Sequence, residues 1–264
     1  MKPPQRAWAA GVIGVLFVAI LVLKHPQPRL YHGKSVHDWV TLLDPDVNKS
    51  QQRDEASWAV VKIGTEALPE LERILAWRHN RLIERIQGYA IHLGIMKLPT
   101  VSHFQLQSRA CEAAFHLAER AGTDISQLVP HLHYHFMNGT YADWSSGRAL
   151  AGAGTIGVAV LTNLVITGAR NVRDNAGPAL RYANKRPEVI VALLQAIETE
   201  PDRQLRANLL LYLRGSGAPA EQVVPVGLRF LQSDDAYTRR MAATLLRDYR
   251  TDENVQRALE AAGR

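Results

Sequence analysis

The densest cluster of possible metal ligands in this 264-residue chain is the run HLHYH at residues 131 to 135. On a strand all three histidines would share a face. On a helix only His131 and His135, four residues apart, would do so. Two imidazoles at that spacing can hold a metal, but a zinc site needs a third ligand from elsewhere. His103 and His116 lie upstream. His131 and His135 are therefore metal candidates, with a polar helix face as the simpler expectation. A site there would also suit an enzyme or an enzyme accessory.

The second chemical feature is the run GARNVRDNAGPALRYANKRPE. It sets Arg170, Arg173, Arg181, Lys185 and Arg186 against Asp174 and Glu188. Clustered cations of this kind can grip a phosphate backbone. They can equally be the solvated face of a helix whose basic end is favoured by the helix dipole. Few aromatics interleave them, which disfavours single-strand stacking. The net charge of +6 is compatible with either reading. The five cations are carried forward as a candidate interaction surface, with nucleic acid the lesser reading.

Other chemistries are excluded or unsupported. A single cysteine, Cys111, rules out an intramolecular disulfide and a multi-cysteine zinc site. Its neighbours Ala110, Ala113 and Ala114 predict a small buried residue on a helix. No phosphate-cradling G-x-x-x-x-G-K-[ST] and no G-x-S-x-G occur. Gly152-x-Gly154 is expected to be a helix-to-helix turn. No residue is nominated as catalytic, and no cofactor is expected.

The elements that would position these residues follow from a recurring proline. Leu68-Pro69, Leu98-Pro99, Val129-Pro130 and Val224-Pro225 are spaced by 30, 31 and 95 residues, the last close to three periods. Gly64 and Gly94 precede their prolines by five residues, Gly122 and Gly217 by eight. Proline loses little at the start of a helix, whose first N–H groups lack partners. Each proline is therefore predicted to open a second helix, and each glycine to turn out of a first one. The copies between Pro130 and Pro225 are GTIGVAVLTNLV from Gly154 and the helix opened by Pro187. A fixed period of this size signals a helical repeat array.

The first helices carry matching apolar stripes. These are Ala56, Ala59, Val60 and Ile63; Ala110, Ala113, Ala114 and Leu117; and Leu205, Leu209, Tyr212 and Leu213. Arginine precedes several of them, as in Arg53 with Ala56, Arg173 with Ala176 and Arg239 with Ala242. The 21 uncharged residues from 149 to 169 are read as a buried helix pair rather than a membrane span, because they are rich in Gly, Thr and Asn.

This pattern of Arg-x-x-Ala, Gly-Thr turn and Leu-Pro resembles the HEAT-repeat superfamily, in particular the short-period repeats of phycobilisome lyases. The resemblance covers about residues 50 to 262. It implies an all-α fold, an α-solenoid of about six to seven degenerate helix pairs with a binding surface and usually no catalysis. The leader YHGKSVHDW is similar to one found in bacterial membrane-attached members. One HEAT-like class is a di-iron hydroxylase built on His-Glu dipeptides, and this chain contains none. Nothing marks a bilin site.

The remaining boundaries follow. Residues 1–6 form a tail, and 7–23, AWAAGVIGVLFVAILVL, an uncharged single-pass anchor. The flank lacks a small-residue cleavage site, so the anchor is expected to stay. Residues 24–34 form a linker. The body occupies 35–262, with a leader helix at 35–43 started by Ser35 and Asp38 and repeats from about 50. The body is expected on the extracytoplasmic side. The expected function is a membrane-tethered scaffold or adaptor for a protein partner, itself unidentified.

Overall fold

The computed structural model describes residues 30–43, 50–78, 93, 101–138, 143–183 and 186–262. The expected anchor, most of the linker, Gly94, Pro99 and Lys185 lie outside them. Among the described residues the chain is all-helical, with thirteen α-helices and no strand. None of these helices is long and apolar enough to cross a membrane.

The leader is a unit of its own. Helix α1 (Val36–Thr41) opens with the expected capping box: Ser35 accepts from the Asp38 N–H, and Asp38 accepts from the Ser35 N–H. Trp39 is fully buried and donates from Nε1 to the Tyr31 carbonyl at 3.0 Å, with Lys34 over its ring. Tyr31 and Lys34 exchange backbone hydrogen bonds. The end of the expected linker is thus docked onto α1 rather than serving as a spacer, because Trp39 needs both the apolar cover and the acceptor.

Among the described residues twelve α-helices follow, grouped two by two in chain order: α2 (Ser50–Ile63) with α3 (Leu68–Ala76), α4 (His103–Ala121) with α5 (Val129–Asn138), and α6 (Asp143–Gly152) with α7 (Gly154–Thr167). Next come α8 (Arg170–Leu180) with α9 (Pro187–Thr199), α10 (Arg203–Gly215) with α11 (Ala220–Leu231), and α12 (Ala236–Leu246) with α13 (Glu253–Ala262). Turn glycines mark four of the six junctions within pairs. Gly64, Gly122, Gly154 and Gly217 all have φ between 62° and 70°, a left-handed conformation that glycine alone adopts without strain. Pro69 and Pro187 stand in the first turn of α3 and α9, and Pro130 is the second residue of α5.

Pro225 corrects the expectation. It does not open a helix; α11 begins at Ala220, and Pro225 is its sixth residue. Pro225 and Glu221 are both solvent-exposed, so the carbonyl that the proline leaves without a donor can take one from water. Pro178, inside α8, ends that helix two residues later in a single 3₁₀ turn.

The first helices pack in succession, α2 on α4, α4 on α6, and so on to α12. The second helices α3, α5, α7 and α9 do likewise, and each second helix also packs on the next first helix. The apolar stripes read from the sequence are the buried faces: Ala56, Ala59, Val60, Ala110, Ala113, Ala114, Leu117, Leu205, Leu209 and Leu213 are buried, while Ile63 and Tyr212 at the stripe edges are only partly so. α2 and α3 both pack directly on α4; the expectation at Pro99 lies outside the described residues. The uncharged run 149–169 is broken at Ala153 between α6 and α7, as a helix pair requires.

Close packing also fixes one residue type. A Cβ on Gly177 in α8 would lie 2.5 Å from the Tyr212 ring on α10. Only glycine allows that approach.

Candidate functional site

The histidine pair does not form a metal site. His135 is buried on α5, and its Nε2–H donates to the Leu75 carbonyl at the end of α3, 2.8 Å away. Burial holds its pKa below the ordinary 6.5, so it is a neutral donor. The expected polar face is corrected to this extent: His135 satisfies an orphan carbonyl of α3. Arg78 donates to the same carbonyl and covers the Tyr134 ring at 3.7 Å. His131 meets Arg78 at 3.4 Å and Glu72 at 3.8 Å. His103 stacks on Trp77, and His116 lies elsewhere, on α4. Among the described residues no three His, Cys, Asp or Glu side chains converge as a metal site. Cys111 is buried as expected, and burial pushes its thiol pKa well up, out of the reactive range.

The basic run is mostly engaged within the chain. Arg170 bonds Asp202 at 2.7 Å. Arg173 makes a two-pronged contact with Glu200, at 2.7 and 2.9 Å, and also caps the Gly168 carbonyl. Glu200 is almost wholly buried, so this pair is part of the core. Arg186 lies 3.7 Å from Glu188. Arg181 packs against Gly215.

The sequence reading missed a different cluster. Helix α4 is enclosed by α1, α2, α3 and α6, and its buried face carries polar groups among alanines. Gln107 donates to the Trp77 carbonyl at 2.8 Å, and Arg109 to the Thr41 carbonyl that ends α1. Glu112, only 6% exposed, is the centre of the cluster. Arg53 of α2 lies 3.3 Å from it, Arg148 of α6 3.1 Å, and His116, one turn on, 3.4 Å. Burial pushes the Glu112 pKa up, but the His116 hydrogen bond and the charges of Arg148, His116 and Arg53 outweigh it and hold the group ionised, below its usual range.

The cluster continues to the surface. Arg120, a further turn along α4, donates to Ser57 Oγ at 3.1 Å and lies over the ring of Trp58. Arg148 stacks on Phe115 at 4.0 Å and on Tyr182 at 5.1 Å. Tyr182 in turn meets Trp144 edge-on. Trp58 and Trp144 are each more than half exposed. The result is a polar seam along α4, walled by α2 and α6, with a tryptophan on each wall. The sequence signal was Glu112 itself, a carboxylate inside the apolar stripe CEAAFHLA. A lone buried carboxylate requires partner cations.

No protein-family model matches the chain, and no curated protein is significantly similar to it.

Proposed function

We propose that the protein is a membrane-tethered scaffold or adaptor. In this reading its helix pairs form a HEAT-like α-solenoid that binds a protein partner by shape and surface, without catalysis of its own. One observation carries the reading: from Arg170 onward, side chains far apart in sequence meet at separations of about one supposed repeat, 27 to 34 residues. Arg170 meets Asp202 across 32 residues, Arg229 meets Glu198 across 31, and Arg214 meets Asp248 across 34. Tyr237 meets Asn208 across 29, and Tyr249 the Ala218 carbonyl across 31. Pairing at about one repeat's separation is what stacked repeats produce, since each unit touches its neighbours. Such stacks offer long surfaces in proportion to their mass, which suits binding.

The tether rests on the uncharged segment 7–23, too apolar to be left in water. The body is assigned to the extracytoplasmic side. The alternative of an enzymatic site around His131 and His135 loses support from the hydrogen bond that commits His135 to Leu75. Backbone binding of nucleic acid by residues 170–186 loses support from the carboxylates that already occupy Arg170 and Arg173.

The test is a pair of C-terminal reporter fusions in intact cells, one active only outside the cytoplasm and one only inside. It is combined with photo-crosslinkers placed along the exposed faces of the helices. The reading expects outside activity and one discrete crosslinked protein from one face. Inside activity would overturn the orientation; no discrete product from any face would overturn the scaffold.

A further inference from the structure

We propose that the seam between Trp58 and Trp144 is the docking site for an acidic segment of a partner protein, whose carboxylates bind Arg53, Arg120 and Arg148. This deepens the scaffold reading and rests on it.

The first ground is the way one buried carboxylate is shared in this seam. On α8 and α10 four arginines each have a carboxylate of their own: Arg170 with Asp202, Arg173 with Glu200, Arg203 with Asp234, Arg214 with Asp248; Arg206 of α10 lies over the Phe230 ring instead. In the seam a single carboxylate, Glu112, is shared by two guanidiniums, those of Arg53 and Arg148. Arg120 has a hydroxyl and an indole ring but no carboxylate among the described residues. Asp54, Glu55 and Glu119 sit on the same helices, and they make no ion pair with these arginines. Within ion-pair distance, then, Arg53, Arg120 and Arg148 have one carboxylate between them among the described residues.

The second ground is unmet hydrogen bonding. Arg148 Nε and His116 Nδ1 are buried and have no partner among the described residues. Buried polar atoms in a native protein are normally satisfied. An acceptor arriving at the seam would take the Arg148 Nε–H.

Geometry and charge select a carboxylate. Glu112 already occupies Arg148 in the way an arriving carboxylate would occupy Arg53 and Arg120. A phosphate dianion would be repelled by buried Glu112 more strongly than a singly charged carboxylate. From Glu112 to Arg120 is eight residues of helix, or about 12 Å. That length matches about four residues of extended chain. Trp58 and Trp144 flank the seam, each exposing a large rigid surface of the kind that dominates binding energy.

The experiment uses the full chain in detergent and a labelled decaglutamate peptide as probe, with decaglutamine as control. Binding is read by anisotropy and by tryptophan fluorescence. We expect decaglutamate to bind, decaglutamine not to bind, and R53Q/R120Q to weaken binding about tenfold, as for two partly exposed ion pairs. Arg170→Gln, outside the seam, should leave it unchanged. Equal weakening by Arg170→Gln overturns the proposal, since attraction would then be general. Displacement of the peptide by inorganic phosphate or phosphatidylglycerol vesicles as readily as by free decaglutamate overturns the carboxylate assignment. Failure of decaglutamate to bind overturns it as well. If the R53Q/R120Q chain still forms its discrete crosslinked product in cells, the seam is wrong and the scaffold reading stands. If the unaltered chain forms none, the scaffold reading itself fails.

Discussion

The two halves of the molecule solve the same packing problem with different chemistry. From α8 to α13 the helices are joined by one-to-one ion pairs, most of them exposed, such as Arg214 with Asp248 and Arg229 with Glu198, and one buried, Arg173 with Glu200. From α1 to α6 they are joined through the interior, where α4 presents Gln107, Arg109, Glu112 and His116 to its neighbours. Exposed pairs cost little to make and contribute little. A buried shared carboxylate contributes little net stability, yet losing it is costly. Arg173 and Glu200 apart, the C-terminal half can therefore tolerate change at its charges. In the N-terminal half Arg53 of α2 and Arg148 of α6 meet on one residue of α4, Glu112, and it is also the half to which the leader is fastened.

The largest expected effect tests this directly. Replacing Glu112 by alanine leaves Arg53 and Arg148 as uncompensated cations, and stability should fall by about 3 to 5 kcal/mol. Chemical denaturation would measure it. A loss below about 1 kcal/mol would place Glu112 with the exposed pairs and erase the contrast.

Steric fit, not charge, is the sensitive point of the other half. Gly177→Ala should gain about 1 kcal/mol of helix propensity. The added Cβ would meet the Tyr212 ring at 2.5 Å. Overpacking costs about 1 to 3 kcal/mol and should win, so thermal unfolding should show net destabilisation. A stabilised variant would mean that α8 and α10 can slide apart.

Acid should loosen the N-terminal half first. The folded-state pKa of His135 lies below its ordinary 6.5, so the unfolded chain takes up the proton first. Stability is then lost as pH falls below that value. Glu112 is also held low, and its contribution is lost further down, as pH falls through the carboxylate range. The aspartates of the other half, Asp202, Asp235 and Asp248, are likewise held low and titrate only in that lower window. Hydrogen exchange between neutral and mildly acidic pH should therefore rise first at α3 and α5. His135→Gln should abolish that early rise. Simultaneous loosening of both halves would count against the division.

The smallest effect is expected at Arg214. Its partner Asp248 is nearly half exposed. Arg214→Gln should cost no more than about 1 kcal/mol, and high salt should remove the difference. A larger, salt-resistant loss would show that the C-terminal ion pairs are structural after all.

Much of the fold was legible because its signals are local. The Ser35–Asp38 capping box, the turn glycines Gly64, Gly122 and Gly217, and the alanine stripes act within a few residues of themselves. Backbone conformation at a turn, or the face of a helix, depends on near neighbours and survives any tertiary arrangement. Pro225 was misread for the complementary reason. A proline inside a helix is tolerable where solvent can satisfy the freed carbonyl, and exposure is a tertiary property.

By itself, then, the sequence determined that the body is helical, where four of its turns lie, and which stripes are buried. Only the tertiary structure decided which helices are neighbours. It brought α2 directly onto α4, and so set Arg53 and Arg148 against Glu112 from positions 59 and 36 residues away. It turned His135 from a ligand candidate into a helix cap, and the basic run into partners for Glu200 and Asp202. The physical reason is the range of the forces. Torsional preference and apolar periodicity are properties of the chain, whereas the partner of a charge is whatever side chain the packing of apolar faces carries to it.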